Sequence, residues 1–230
     1  MHELDGLFEG PVVVRTSPID FTASASLHPN EALLVARAVD KRRHEFATGR
    51  KLARAALAQL GVNDVAILQD EMRAPIWPEG FTGSISHCTK KAFAAVGRLD
   101  ETGTFGIDVE DRLRLSEDLW PRILVDEERA FVEAAPFDQR QQLAMIVFSA
   151  KESLYKAQYP RTNEFMDFAD ARIEITKLER SPSLRGAFRG VFLRDVGGFL
   201  AGTVVSGKFS ELSAEQILVT SVQIPPVAER

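Results

Sequence analysis

The sequence predicts an α+β protein, a pseudo-dimer of two similar-sized α+β halves with the active site in the cleft between them. Helical spacing of apolar residues dominates residues 30–60 and 139–158. Short apolar segments bounded by glycine, proline or polar residues predict strands around both helical regions. An acidic strand at residues 105–110 lies near the middle of the chain. We therefore expect residues 1–104 to form the first half and residues 105–230 the second.

The first half is expected to combine one helical region with short strands. Residues 30–60 predict helix with a break near the basic residues, and Gly61 is suited to end it. Strands are predicted at residues 10–16, 65–68, 84–87 and 92–98, with a breaker-rich loop at 75–83 and a turn at 100–103.

The second half is expected to combine two helices with an antiparallel meander. The helices are predicted at residues 126–134 and 139–158. Pro160 should end the second helix, because proline lacks the amide hydrogen that a helix interior needs. After the acidic strand, four strands with glycine-rich turns are predicted at residues 171–178, 186–193, 199–206 and 216–224.

Composition narrows the class of protein. The chain has 230 residues, of which 45% are hydrophobic and 27% charged, as in ordinary soluble domains. A net charge of -5 argues against a general nucleic-acid binder, although residues 37–54 hold seven basic and two acidic residues. The one cysteine, Cys88, excludes an internal disulfide and a cysteine-rich zinc site. Neither a secretory signal nor a membrane-spanning apolar run is visible, so we expect a cytoplasmic protein.

The predicted mid-chain strand carries acids on one face. Ile107 and Val109 would face the core, which places Asp108 and Glu110 together on the opposite face. Residues two apart on a strand are about 6.5–7 Å apart at Cα, so both carboxylates can converge on one divalent cation. Gly106 permits a close backbone approach beside them. The ordinary alternative is a pair of acids on the exposed face of an edge strand.

The helix predicted at residues 139–158 supplies a third acid. Glu152 precedes Lys156 by four residues, with Lys151 and Tyr155 in the same region of the helix. Three acids with adjacent lysines predict a magnesium site that handles phosphate. The alternative is an exposed surface pair, because glutamate four residues before lysine is the favourable order on a helix.

Further polar residues are suited to bind phosphate. Ser86 and His87, at the end of a predicted strand, offer hydrogen bonds at the mouth of a cleft, although a strand-end histidine is often only structural. The arginines of residues 42–54 on the basic helix, and Arg73 in a turn, could bind phosphate oxygens, although such runs are usually solvated helix faces. No nucleophile elbow and no glycine-rich nucleotide loop is present.

Five segments occur in an order shared with a known enzyme family. They are Arg42-x7-Arg50, Arg73-Ala-Pro75, Gly83-Ser-Ile-Ser-His87, Gly106-Ile-Asp-Val-Glu110 and Phe148-Ser-Ala-Lys-Glu-Ser-Leu-Tyr-Lys156. Together they resemble the 4′-phosphopantetheinyl transferases, specifically the single-chain type of the enterobactin synthetase component D group. The resemblance extends over somewhat more than half of the chain. One departure is Met72, which occupies a position where many relatives have glycine.

The resemblance implies a monomer that binds coenzyme A and Mg²⁺ between its halves, with Mn²⁺ as an alternative. The implied reaction transfers phosphopantetheine from coenzyme A to a serine of an apo carrier protein and releases 3′,5′-ADP. The carriers would be those of fatty-acid, polyketide, non-ribosomal peptide or siderophore synthesis.

The resemblance also implies roles for individual residues. Asp108, Glu110 and Glu152 would hold the metal. Glu152 would accept the serine proton, and Lys156 would stabilise the leaving phosphate, with Asp108 as the third catalytic residue. The nucleotide end of coenzyme A would be bound by Arg42, Arg50, Arg73, Ser86 and His87, and its pyrophosphate would lie along Lys151, Tyr155 and Lys156, beside Asp108.

Two rival functions remain at this point. A magnesium-dependent phosphodiesterase or nuclease also clusters acids, and it would cleave a phosphodiester without a carrier protein. A non-catalytic carrier-binding module would use the basic helix for docking and would tolerate loss of Asp108.

Overall fold

A computed structural model describes residues 4–112, 115–181 and 183–226. The helices are α1 Pro29–Leu34, α2 Asp40–Gln59, α3 Leu99–Thr102, α4 Trp120–Ile123, α5 Asp126–Ala134 and α6 Phe137–Thr162. The strands are β1 Val13–Pro18, β2 Leu68–Gln69, β3 Pro75–Ile76, β4 Phe81–His87, β5 Lys91–Arg98, β6 Thr104–Asp111, β7 Ala171–Glu179, β8 Arg185–Phe192, β9 Val204–Leu212 and β10 Ile217–Ile224. The predicted α+β class is confirmed.

Each half places a long helix against an antiparallel sheet. In the first half, α2 packs on a three-stranded sheet of order β1-β5-β4. In the second half, α6 packs on a five-stranded sheet of order β6-β10-β9-β8-β7. The halves therefore share an arrangement and differ in strand number. β6 begins at Thr104 and pairs with β10, so the expected 104/105 boundary lies one residue inside this strand, and we propose the division between the halves at the start of β6.

The two sheets meet at their edge strands, β4 and β6. Serine side chains of β4 form the hydrogen bonds between these two strands. The Ile107 amide donates to Ser84 Oγ at 3.0 Å, and the Val109 amide donates to Ser86 Oγ at 3.2 Å. A shared apolar core lies beside this junction and includes Phe93 from β5 and Ile107 from β6. The acidic strand is therefore fixed between the halves.

Most predicted elements are found close to their expected positions. The break in the first helical region is confirmed between α1 and α2, and Gly61 has the positive φ of +88° expected after a helix end. Helix α5 has the predicted bounds, and the acidic strand extends one residue further at each end. The turn expected at residues 100–103 contains a single helical turn followed by Gly103 at φ +66°.

The strand expected at residues 65–68 is wrong in position. Only Leu68–Gln69 forms a strand, in a short hairpin with Pro75–Ile76. Side chains hold the preceding backbone instead, because the Ile67 amide donates to Glu31 at 2.9 Å and the Ile67 carbonyl accepts from Arg50 at 2.8 Å. These bonds replace a sheet ladder.

Two expectations in the second half also need correction. Pro160 lies inside the last turn of α6, which continues to Thr162 and ends at Asn163 in a left-handed conformation. Pro160 cannot donate to the Lys156 carbonyl four residues before it, but Arg161 holds the last turn by donating to Thr104 Oγ1 at 2.9 Å. The strand expected at 199–206 begins only at Val204, because Phe199 belongs to a tight turn and stacks on Phe192.

Within the described part of the chain, no helix combines the length and apolar character needed to span a bilayer.

Candidate active site

A cavity of about 390 Å³ lies between the two halves. It is walled by α2, β4 and the β2–β3 hairpin from the first half, and by β6 and α6 from the second. Ten of the eleven residues singled out in the sequence line it: Arg42, Arg50, Arg73, Ser86, His87, Asp108, Glu110, Glu152, Tyr155 and Lys156. The missing residue is Lys151.

The Asp108 carboxylate joins elements of both halves. It is only 3% exposed. Its Oδ1 accepts from Ser86 Oγ on β4 at 3.0 Å and from Lys156 Nζ on α6 at 2.6 Å, and its Oδ2 accepts from Ser149 Oγ at 2.7 Å. A buried carboxylate is stable as an anion only with such donors and a nearby positive charge. Asp108 is therefore held in one orientation.

Ser149 and Thr220 form a further layer behind Asp108, which the sequence analysis missed. Both are fully buried, and the Thr220 hydroxyl donates to the Ser149 carbonyl at 2.8 Å and lies 2.9 Å from Ser149 Oγ. With the Thr220 proton used in this way, the single Ser149 proton is free for Asp108. The available signal was a serine on the buried, otherwise apolar stretch of the helix, three residues before Glu152.

The carboxylates of Glu110 and Glu152, unlike that of Asp108, make no hydrogen bond or ion pair with the described residues. Burial, together with the charges of Asp108, Glu152 and Asp111, raises the pKa of Glu110 to about 8, despite the opposing effect of Lys156. Burial and Asp108 likewise raise the pKa of Glu152. These carboxylates repel one another, and a bound cation would relieve that repulsion.

This donor set fits a divalent cation, because Mg²⁺ and Mn²⁺ prefer carboxylate oxygens. The trio is not arranged as a finished coordination shell, however. No group of three acidic, histidine or cysteine side chains in the described ranges converges closely enough to hold an ion. The ammonium of Lys156 lies against Asp108 instead. The metal assignment of Asp108, Glu110 and Glu152 therefore stays a proposal.

Lys156 carries the positive charge nearest to these acids. Burial opposes its charge, but Asp108 and Glu152 outweigh that effect and raise the pKa of Lys156. It also donates to Ser86 Oγ at 3.3 Å. The Lys156 ammonium is therefore held against Asp108 inside the cavity and is suited to contact phosphate.

Gly106 allows α6 to approach β6 closely enough to bring these groups together. A Cβ at this position would lie 2.0 Å from the Ser153 carbonyl oxygen and 2.8 Å from Lys156 Cβ. The close backbone approach predicted from the sequence is confirmed.

His87 and Arg42 form a polar pair at the first-half side of the cavity. Arg42 donates to His87 Nε2 at 2.9 Å, and an arginine can only donate, so Nε2 carries no proton. Burial lowers the pKa of His87, against the opposite effect of Glu45. Arg42 is exposed and its guanidinium remains open to an anionic ligand.

Arg50 and Ser86 line the cavity but are largely committed to the protein. The Arg50 guanidinium donates to the Ile67 carbonyl and lies 4.4 Å from the centre of the Phe46 ring, and burial lowers its pKa to about 10. The Ser86 hydroxyl accepts a hydrogen bond from the Val109 amide and donates one to Asp108 Oδ1. The structure therefore gives both residues a positioning role in addition to any contact with the nucleotide end.

Lys151 does not reach the cavity, which corrects the expectation that it lies along the pyrophosphate. It is 2% exposed, and its ammonium donates to Glu128 at 2.7 Å and to the carbonyls of Ile123 and Phe168 at 2.8 and 2.7 Å. Consecutive helical residues point about 100° apart, so Lys151 and Glu152 occupy different faces of α6. All three ammonium donors of Lys151 are used by the protein.

The β2–β3 hairpin, residues 68–76, forms one wall of the cavity and is called the flap below. Its tip carries Arg73, which is exposed and adopts a left-handed φ of +66°. The flap and Tyr155 of α6 face the same cavity. Arg73 and Tyr155 are therefore both available to a ligand there.

Comparison with known proteins gives consistent matches. The model of the "4'-phosphopantetheinyl transferase N-terminal domain" matches residues 30–97, and that of the "4'-phosphopantetheinyl transferase superfamily" matches residues 104–196. The 4′-phosphopantetheinyl transferase PptT of Mycobacterium tuberculosis is 39% identical over 189 residues, which cover 79% of this chain and 80% of that protein.

Two other relatives show similar identity. The 4′-phosphopantetheinyl transferase Npt of Nocardia iowensis is 37% identical over 67% of this chain and 69% of its own length. Enterobactin synthase component D of Salmonella typhi is 38% identical over 62% of each chain. Among solved structures, the Thermotoga maritima holo-[acyl-carrier-protein] synthase matches 55% of this chain and 65% of its own, with a TM-score of 0.41 and 22% identity.

Proposed function

Because the chain belongs to the 4′-phosphopantetheinyl transferase superfamily and is an enzyme of that class, we propose that it transfers phosphopantetheine from coenzyme A to a serine of an apo carrier protein. The other product would be 3′,5′-ADP. One observation carries the proposal: a single cavity between the halves brings three buried or half-buried carboxylates together with Lys156 and Arg42. This combination is suited to a magnesium-bound pyrophosphate.

The binding step uses the charges on both walls. Arg42, His87 and the exposed Arg73 would contact the phosphate-rich nucleotide end, with Arg50 holding the wall behind them. Tyr155 and Lys156 would lie along the pyrophosphate. Asp108, Glu110 and Glu152 supply oxygen donors for a divalent cation, which when bound would neutralise charge on the pyrophosphate.

The transfer step needs a base and a cation beside the leaving group. The carrier serine oxygen forms a bond to the phosphorus that bears pantetheine, the bond from this phosphorus to the bridging oxygen breaks, and 3′,5′-ADP leaves. Glu152 would accept the serine proton through the carboxylate oxygen that the cation leaves free; in the metal-free protein, burial and Asp108 raise its pKa. Lys156 would stabilise the negative charge that develops on the leaving phosphate.

Mass spectrometry tests this reaction directly. An apo carrier protein incubated with the enzyme, coenzyme A and Mg²⁺ should gain the mass of one phosphopantetheine group. The Glu152→Gln variant should lose most of this activity, whereas Asp138→Asn, an exposed acid in the first turn of the same helix, should keep it.

Three outcomes would contradict the proposal. The first is no mass gain with apo carriers from fatty-acid, polyketide and non-ribosomal peptide systems. The second is hydrolysis of a phosphodiester without a carrier, which would indicate a phosphodiesterase. The third is carrier binding that is unaffected by Asp108→Ala and yields no modified carrier, which would indicate a docking module.

A further inference from the structure

The flap is attached to both halves of the protein at different points. Its base is held from the first half, where Arg50 on α2 donates to the carbonyls of Ile67 at 2.8 Å and Leu68 at 3.4 Å. Its tip is held from the second half, where the Tyr159 hydroxyl on α6 donates to Asp70 Oδ2 at 2.9 Å. The tip contact crosses the cleft.

Asp70 also organises the tip itself. Its Oδ1 accepts from the Ala74 amide at 2.8 Å, while the Asp70 amide donates to the Ala74 carbonyl at 3.0 Å. Arg73 lies inside this loop at φ +66°, a conformation that costs a non-glycine residue energy. The Tyr159 hydroxyl donates to Asp70, the residue that closes this loop.

Tyr159 is well placed to hold the flap. Its side chain is 7% exposed and packs 5.5 Å from the ring of Tyr155, which lines the cavity. Burial and the neighbouring Asp70 raise the pKa of Tyr159 to about 12, so the hydroxyl keeps the proton that it donates. Tyr159 also follows Glu152 and Lys156 at helical spacing on α6.

We propose that Tyr159 is a positioning residue that holds the flap closed over the coenzyme A site through Asp70. The inference rests on the proposed function for the identity of the ligand, whereas the attachment of the flap stands on the contacts alone. Neither Tyr159 nor Asp70 needs to touch the reacting atoms. Their effect is to keep Arg73 and the flap backbone where a ligand meets them.

A residue in this role affects the binding of coenzyme A and leaves the rate of the catalytic step nearly unchanged. In Tyr159→Phe the ring stays and the hydroxyl is lost, so the flap is closed for a smaller fraction of the time. The apparent dissociation constant for coenzyme A should rise about five- to tenfold, because binding must then order the flap. At saturating coenzyme A the flap is closed in every molecule, and kcat should stay within about twofold of the wild-type value.

Calorimetric coenzyme A binding and steady-state kinetics on four variants test the proposal. Asp70→Ala should weaken binding at least as much as Tyr159→Phe, and the double variant should be no worse than Asp70→Ala alone, since both act through one bond. Lys91→Met is the matched control, because Lys91 on β5 pairs with Glu215 between β9 and β10, which also joins the halves but lies outside the cavity. It should leave coenzyme A binding unchanged.

A second measurement does not depend on coenzyme A. Trypsin cleavage after Arg73 reports how often the flap leaves its closed position, and Tyr159→Phe should be cut several times faster there than the wild type or Lys91→Met. Four results would each overturn the proposal. They are equal cleavage rates for Tyr159→Phe and wild type, unchanged coenzyme A binding in Tyr159→Phe, additive effects in the double variant, and a fall in kcat without a change in coenzyme A binding. A wild-type protein that binds no coenzyme A would refute the proposed function, and the cleavage rates would still decide the role of Tyr159.

Discussion

The hydroxyl of Ser149 donates to Oδ2 of Asp108 across 2.7 Å, from the same turn of α6 that carries Glu152. Asp108 is thereby fixed from the side opposite Lys156, which meets Oδ1. Two donors on one helix thus determine how a carboxylate on β6 faces the cavity. Several consequences of this arrangement can be measured.

Removing the Ser149 hydroxyl should weaken both the fold and the site. Ser149→Ala leaves Oδ2 of a buried carboxylate without its donor, which should lower the free energy of unfolding by about 1–3 kcal/mol and slow transfer. Ser153→Ala is the control, because this equally buried serine donates only to the Ala150 carbonyl of its own helix. Urea unfolding and single-turnover rates should separate the two variants; equal behaviour would remove Ser149 from the site.

Lys156→Met should impair chemistry more than binding. The variant lacks the cation that faces Asp108 and the proposed leaving phosphate, so kcat should fall about 100-fold or more. The dissociation constant for coenzyme A, measured by calorimetry, should change much less. Lys177→Met, at an exposed lysine of β7, should match the wild type. A Lys156→Met enzyme with normal kcat would exclude this role.

Stability of the metal-free protein should fall as pH rises, because of Glu110. Its pKa is raised from 4.5 to about 8, so between these values the folded state holds a proton that the unfolded state releases. That proton stabilises the folded state at low pH, and the contribution is lost as pH approaches 8. In Glu110→Gln the unfolding free energy should fall less steeply between pH 5 and 8 than in the wild type. Some pH dependence should remain, because the pKa of Glu152 is also raised.

Added Mg²⁺ should act in the opposite direction. A cation competes with the Glu110 proton, so Mg²⁺ should raise the melting temperature more at pH 8 than at pH 6. Identical pH slopes for Glu110→Gln and wild type would show that the pKa of Glu110 is not raised in the folded state. An equal Mg²⁺ effect at both pH values would show that Glu110 does not bind the ion.

Lys151→Met should damage the fold and spare ligand binding. Burial lowers the pKa of Lys151 and raises that of Glu128, and the two charges are stable there only as a pair. Removing one should cost about 3–5 kcal/mol of unfolding free energy. Coenzyme A should bind the folded variant with normal affinity. Normal stability with weakened coenzyme A binding would instead place Lys151 at the pyrophosphate.

Local patterns explain which parts of the fold were predictable. Ile107 and Val109 are fully buried, as their alternation with Asp108 and Glu110 required, so the acidic strand was identified from sequence. Helix α5 was equally clear from its spacing. The start of β9 was misplaced, because Phe199 has the apolar character of a strand residue but is used in a turn against Phe192.

The site residues that lie close in sequence were predicted, because their spacing determines which side chains share a face. The contacts that depend on residues far apart in the sequence were not predicted. Glu152 and Lys156 are four residues apart on one helix, so their spacing places both side chains on the same face. Lys151 was misassigned because its partner Glu128 lies 23 residues away on another helix. Tyr159 and Asp70 are 89 positions apart in the sequence, and no local sequence pattern predicts a contact between them.

The serine junction between β4 and β6 also protects the protein from unwanted association. Each strand ends its own sheet, and an unpaired edge is a template on which another chain can add a strand. Here each edge shields the other, with Ser84 and Ser86 accepting two β6 amides that would otherwise be open to an intruding strand. The cleft proposed as the active site is therefore flanked by a junction in which the Ile107 and Val109 amides are already used and are not open to a strand of a neighbouring molecule.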